Sequence, residues 1–114
     1  MIYLASVYSL DAKTDSEEHK AIREERYNVV MKKVSELMSQ NVHVFSPILH
    51  CHVLSNTYKL PKDFDYWKQL DEDYISHCDA VYVLMMEGWE RSQGISEEIK
   101  YANQIGIPVE YLEV

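Results

Sequence analysis

Glycine and proline are scarce, three of each in 114 residues, and the chain contains neither G-x-G-x-x-G nor G-x-x-x-x-G-K-[ST]. A dinucleotide fingerprint and a phosphate-binding P-loop are thereby excluded. Cysteine is scarcer still. Cys51 and Cys78 stand far apart, too few for a disulfide framework, so a reducing, cytoplasmic setting is expected. No apolar run approaches the roughly 20 residues that span a bilayer, and no charged-then-apolar leader is expected. Basic residues are outnumbered 11 to 19, giving a net charge of −8. Such a surface repels polyanions, so neither nucleic acid nor membrane is an expected partner. A small anionic ligand would need a local positive site. Internal repeats, low-complexity tracts and linkers are also missing. What the chain does have is nine tyrosines and two tryptophans, too many for a disordered segment, and a length suited to a single domain over residues 1–114.

Short apolar runs alternate with longer helical patterns. Ile2–Ser6 reads as a buried central strand. A long helix is expected from Ser16 to about Gln40, with Asp15 or Ser16 as its cap and an acidic first turn. Its apolar face comprises Ile22, Tyr27, Val30, Val34, Leu37 and Met38. Val42–Phe45 is a second strand, ended by Ser46-Pro47, and a loop is expected from Ile48 to Pro61. Lys62–His77 reads as a helix with Phe64, Trp67, Leu70, Tyr74 and Ile75 on one side. Asp79–Met86 is a strongly apolar strand, a helix follows from about Gly94 to Gln104, and Val109–Val114 is a last strand. Gly106 and Pro108 mark the end of that helix. The order β-α-β-α-β-α-β predicts an α/β fold, a Rossmann-like or flavodoxin-like three-layer sandwich with a short, mostly parallel sheet of four to five strands. Ligands in such folds sit beyond the carboxyl ends of the strands, where Ser6–Ser9, Ser46–His52 and Glu87–Gly94 converge.

The stretch Met86–Ala102, MEGWERSQGISEEIKYA, carries the best candidate chemistry. It leaves an apolar run through Gly88-Trp89-Glu90-Arg91 and enters a helix whose free N–H groups and positive dipole end attract an anion. Ser92 at that entrance either caps the helix or meets a phosphate; Glu98, further in, is either a solvated charge or a reacting carboxylate. Other residues are equally two-sided. Tyr8 lines a pocket or packs a loop, and the REER run at Arg23–Arg26 is a solvated ion-pair face or supplies Arg23 or Arg26 to a phosphate. The acids Asp63, Asp65, Asp71, Glu72 and Asp73 form a solvated face unless one, with Asp71 the candidate, turns inward. His50, Cys51, His52, His77 and Cys78 are metal-ligand types without a four-ligand spacing, so no metal is expected; His50 or His52 suits a contact to a base edge instead.

Three features coincide. The chain opens IYLAS-VY, its last helix carries S-x-G-x-x-x-E over Ser92–Glu98, and D-x-x-x-I-x-x-C-D over Asp71–Asp79 leads into an apolar strand. The combination resembles the nucleoside 2-deoxyribosyltransferase-like superfamily and its hydrolase branch, the deoxynucleoside 5′-monophosphate N-glycosidases. It is most similar to small phage-associated members carrying FSP-x-x-H and GWE-x-S-x-G, here at Phe45–His50 and Gly88–Gly94. The resemblance implies Glu98 as nucleophile, Asp71 as acid/base and Tyr8 as pocket tyrosine. Ser6, Ser92, Gly94, Arg23, His50 and Trp89 are the expected substrate contacts. Transferases of this type commonly hold an aspartate six positions before the nucleophile. Ser92 there suits a phosphate, which an aspartate would repel. The resemblance further implies a nucleotide or nucleoside as the small-molecule partner, no cofactor, and a homodimer or higher homo-oligomer. The expected activity is release of free base from a (deoxy)nucleoside 5′-monophosphate. The alternatives are deoxyribosyl transfer and a non-catalytic nucleotide-binding module.

Overall fold

The computed structural model describes residues 1–8, 17–58 and 64–114, with the side chains of Ser55, Asn56 and Phe64 also outside the description. The expected caps Asp15 and Ser16, the start of the second expected helix at Lys62, and Asp63 lie outside the described residues. Four strands form one parallel sheet: β1 (Ile2–Ala5), β2 (Val44–Phe45), β3 (Ala80–Leu84) and β4 (Val109–Leu112). Their spatial order is β2-β1-β3-β4, with Ile2 level with both Val44 and Ala80, and Leu84 level with Leu112. Between and beyond the strands run α1 (Glu17–Ser39), α2 (Pro47–Tyr58), α3 (Phe64–Ser76) and α4 (Gln93–Ile105), with a single 3₁₀ turn at Trp89–Arg91. The sheet is flanked by helices in three layers, as the alternation of strand and helix patterns implies. No helix among the described residues is long and apolar enough to cross a membrane.

The interior strands are apolar throughout because helices cover both faces of the sheet. Tyr3, Leu4, Ala5, Val81, Val83 and Leu84 are fully buried. Side chains alternate along a strand, so Tyr3 points to the layer of α3 and α4, where its hydroxyl is found, and Leu4 points to the opposite layer. α1 buries Val30, Val34 and Leu37 as its spacing requires, but Met38 is 60% exposed and belongs to the solvent side. Met38 directly follows Leu37, about 100° further round the helix, and the buried stripe does not reach it.

Of the segment expected as a loop, Ile48 to Pro61, residues 59–61 lie outside the described residues, and the described part up to Tyr58 is helix. Ser46 is its cap: the Leu49 N–H donates to Ser46 Oγ at 3.3 Å and the His50 N–H to the Ser46 carbonyl at 3.1 Å. Pro47 then occupies the first helical position, where a missing N–H costs nothing and the fixed φ is already helical. This extra helix carries His50, Cys51 and His52 on ordered backbone.

Because β1 leads outward to β2 and the chain then crosses back to β3, the connections diverge between β1 and β3. In open α/β sheets ligands sit beyond the carboxyl ends of the strands at such a divergence. An open groove of about 600 Å³ lined by Leu70, Asp73 and Tyr101 lies elsewhere, on the outer side of α3 and α4.

Candidate active site

Two carboxylates reach the sheet from neighbouring helices. On α4, Ile95, Glu98, Ile99 and Ala102 recur at helical spacing; Ile95 and Ala102 are buried and Ile99 packs on the core. Glu98 therefore shares the stripe facing the sheet, whereas its neighbour Glu97 faces outward and pairs with Lys68 at 3.7 Å. On α3 the stripe is Trp67, Asp71, Tyr74 and Ile75, which turns Asp71 inward. Asp73 is exposed, and Glu72 and Asp73 line the outer groove.

Tyr3 joins the pair. Its hydroxyl donates to Glu98 Oε2, and it lies near enough to Asp71 to lower the pKa of that acid as well. The electrostatics tie the two acids and the phenol together. Burial pushes Asp71 up to about 7, against the lowering effect of the Tyr3 hydrogen bond. Burial and then the charge of Asp71 push Glu98 up to about 8, again opposed by Tyr3. Burial, followed by the Glu98 and Asp71 charges, holds the Tyr3 phenol well above its usual range. The pair shares protons as a unit, an arrangement suited to one acid and one carboxylate acting together. Phe45 lies against Tyr3 at 6.2 Å and against Tyr74 at 4.3 Å, forming an aromatic wall beside the pair. Cys51 on α2 is close enough that the Asp71 charge, after burial, raises its thiol.

The turn from β3 to α4 supplies cationic and hydrogen-bonding groups. Gly88 has φ +94°, a left-handed conformation that favours glycine. A Cβ there would lie 3.6 Å from Arg26 Nη2 and 3.8 Å from Arg91 Nη2, so two guanidinium groups meet over this residue. Arg26 also donates to the Tyr8 carbonyl at 3.1 Å. Its pKa is lowered chiefly by burial, with Glu87 opposing and the like charge of Arg91 adding to the effect. Ser92 is the N-cap of α4 and accepts the Ile95 N–H at 3.2 Å. Capping uses a lone pair and leaves the hydroxyl proton for a further acceptor.

The remaining expected site residues fall around this centre. Tyr8 is not the tyrosine on the carboxylates; its hydroxyl is hydrogen-bonded to His52. Ser6 follows β1, and its Oγ is enclosed without a hydrogen-bond partner among the described residues. Gly94 lies in the first turn of α4, where a Cβ would sit 3.7 Å from Ser92 Oγ. Arg23 lies one turn before Arg26 on α1, and Arg26 is the guanidinium whose described contacts reach the sheet edge. His50 is exposed and stands 5.9 Å from Phe45 and 6.3 Å from Tyr74, at the rim of the aromatic wall. Trp89 packs its ring on Tyr111 of β4 at 5.6 Å. No cluster of three or more metal-ligand side chains occurs among the described residues.

Sequence reasoning overlooked Tyr3 and Arg91. Tyr3 sits in an otherwise apolar strand, where a phenol needs a buried hydrogen-bond partner, and that requirement was the available signal.

Fold and centre together define an α/β domain with a parallel sheet and two inward-facing acids, Asp71 and Glu98, beside Tyr3 of a central strand. The chain belongs to the family described as a domain of unknown function, DUF1937, whose model matches residues 1–114. No curated protein matches the chain.

Proposed function

We propose that this protein is an N-glycosidase that cleaves a (deoxy)nucleoside 5′-monophosphate through a glycosyl ester on Glu98 and releases free base. The observation that supports the reading is the hydrogen bond from the Tyr3 hydroxyl to Glu98, with Asp71 near enough that its charge raises Glu98. The resemblance of the chain to the nucleoside 2-deoxyribosyltransferase-like superfamily supplies the substrate class.

The two acids take different roles. Both acids are raised mainly by burial, Asp71 to about 7 and Glu98 to about 8. The Tyr3 hydroxyl donates to Glu98 Oε2, which favours the state in which Glu98 is the carboxylate and Asp71 keeps its proton. In that state a Glu98 oxygen attacks C1′ while the C1′–N bond breaks through an oxocarbenium-like transition state. The bonding pair leaves with the base, and Asp71 delivers its proton to the departing base. A water molecule then attacks C1′ and gives a proton to Asp71, and the C1′–O bond to Glu98 breaks to regenerate the carboxylate.

The phosphate belongs at the β3–α4 turn. The helix start, the spare proton of Ser92 and the guanidinium groups of Arg26 and Arg91 supply positive potential there, on a chain whose net charge is −8. The test is a panel of nucleoside monophosphates incubated with the wild type and Glu98→Ala, with free base measured by chromatography. Base release by the wild type alone is expected. A new nucleotide on adding a second free base would identify transfer instead, and tight binding without release, unchanged in Glu98→Gln, would identify a sequestering module.

A further inference from the structure

The outer face of α2 takes no part in the chemistry above, and its composition is unusual for a surface. Spacings of three and four residues put His50, Val53, Leu54, Thr57 and Tyr58 on one side of the helix. All five are exposed, Val53 at 55%, Leu54 at 39% and Tyr58 at 75%. The opposite side carries the buried Ile48 and His52. Charged residues make up 26% of the chain, yet the 12 residues of α2 contain none. A surface helix ordinarily turns charged and polar residues to solvent. Here a valine, a leucine and a tyrosine stand in their place.

Charge decides what can cover this face. The net charge of −8 repels nucleic acid and anionic lipid, and α2 offers no lysine or arginine to hold either. A basic partner protein would be drawn to the acidic surfaces of the chain and would gain nothing from a neutral helix. A second copy of this chain is the reverse case. Two copies repel wherever their acidic surfaces meet, and on α2 they meet without apposing like charges. The backbone adds a complementarity of its own. The first turn of α2 has no acidic residue and its last turn no basic one, so neither turn offsets the helix dipole. Antiparallel pairing sets the positive end of each helix beside the negative end of the other.

We propose that the outer face of α2 is a homodimer interface, through which two copies pair antiparallel about a twofold axis. Such an interface is self-complementary. Val53 and Leu54 lie at the middle of the helix Pro47–Tyr58, where the axis passes, so this part of the face meets its own counterpart. Depletion of charge and the presence of an exposed tyrosine are the marks of an interface core. The proposal is independent of the nucleotide reading, and its test needs no ligand.

The test is the molar mass of the full chain by light scattering after gel filtration, over a concentration series. The wild type is expected to approach twice the chain mass of 13.4 kDa as concentration rises. Val53→Glu is expected to weaken pairing about 100-fold or more, since each copy would set a carboxylate against its twin's. The variant should run as a monomer and keep the helical circular dichroism of the wild type. Val53→Arg is expected to behave alike. Mixing the two variants in equal amounts is expected to restore the dimer mass, because opposite charges then face each other across the axis. Tyr58→Glu, at the most exposed of these apolar positions, is a second disruption that does not depend on how Val53 variants fold. A wild type that stays monomeric overturns the proposal. So does a dimer that survives both glutamate substitutions, or a mixture of the two Val53 variants that stays monomeric.

Discussion

Tyr3 is the residue on which the candidate chemistry turns, because its hydroxyl donates to Glu98 and lowers the pKa of both half-buried acids. Tyr3→Phe keeps the ring in the core and removes only the hydroxyl. Base release is expected to fall by about 10²-fold, the usual scale for losing one positioned proton-transfer or hydrogen-bonding partner. The pH profile should move with it. The Tyr3 hydrogen bond lowers both Asp71 and Glu98, so its loss raises both, and the activity maximum is expected to shift to higher pH. A profile unchanged in position but reduced in height would place Tyr3 outside the proton-sharing unit. Glu98 and Asp71 were named from the sequence through the family resemblance; the register each keeps with apolar residues of its helix is what turns it inward. Tyr3 was not named, since an apolar run such as IYLA looks the same whether its phenol meets a carboxylate or a backbone carbonyl.

At the scale of elements, the carboxyl edge is built from a cap, a tight turn and a helix start, and each has a separable cost. Ser92 is both the α4 cap and the proposed phosphate donor. Ser92→Ala should lower stability by about 1 kcal/mol, as loss of a cap does. Ser92→Asp separates the two roles, because aspartate caps as well as serine but repels a phosphate dianion. The aspartate variant is expected to melt near the wild type while its KM for a monophosphate rises tenfold or more, with little change for the free nucleoside. Equal loss for both substrates would argue that Ser92 serves the helix alone. The β3–α4 turn makes the matching prediction. Gly88→Ala forces a side chain into a left-handed backbone at φ +94°, costing about 1–2 kcal/mol, and puts a methyl against the Arg26 and Arg91 guanidinium groups. Most elements were readable from period and punctuation, α2 being the exception. Its segment PILHCHVLSNTY lacks a clean polar face and reads as irregular. The signal that it held was Ser46-Pro47, a cap followed by proline at the first helical position, which looks from sequence alone like the end of a strand.

For the molecule as a whole, function and stability pull in opposite directions across the switch point. Holding two half-buried acids against the core favours their protonated forms, so the folded chain binds protons that the unfolded chain has released. Asp71 rises from 3.8 to about 7 and Glu98 from 4.5 to about 8. Groups raised on folding contribute stability that is complete below the unfolded pKa values and disappears as pH climbs through the folded ones. Stability is therefore expected to decline from about pH 5 to pH 9. The full linkage value is reduced by coupling within the pair and by partial exposure of both residues, leaving on the order of 2–4 kcal/mol. Glu98→Gln isolates the effect. A neutral amide resembles the protonated acid, so the variant should match the wild type near pH 5 and melt higher than it at pH 9, while losing base release at every pH. The activity that the pair permits should follow a bell centred where the unit holds one proton, falling on the acid side as both groups protonate and on the alkaline side as both ionise. Denaturant melts and base-release rates over the same buffers would set the two curves side by side. If the variant and the wild type keep a constant stability difference from pH 5 to 9, the carboxylates are not sharing protons in the fold, and the mechanism built on that sharing fails with them.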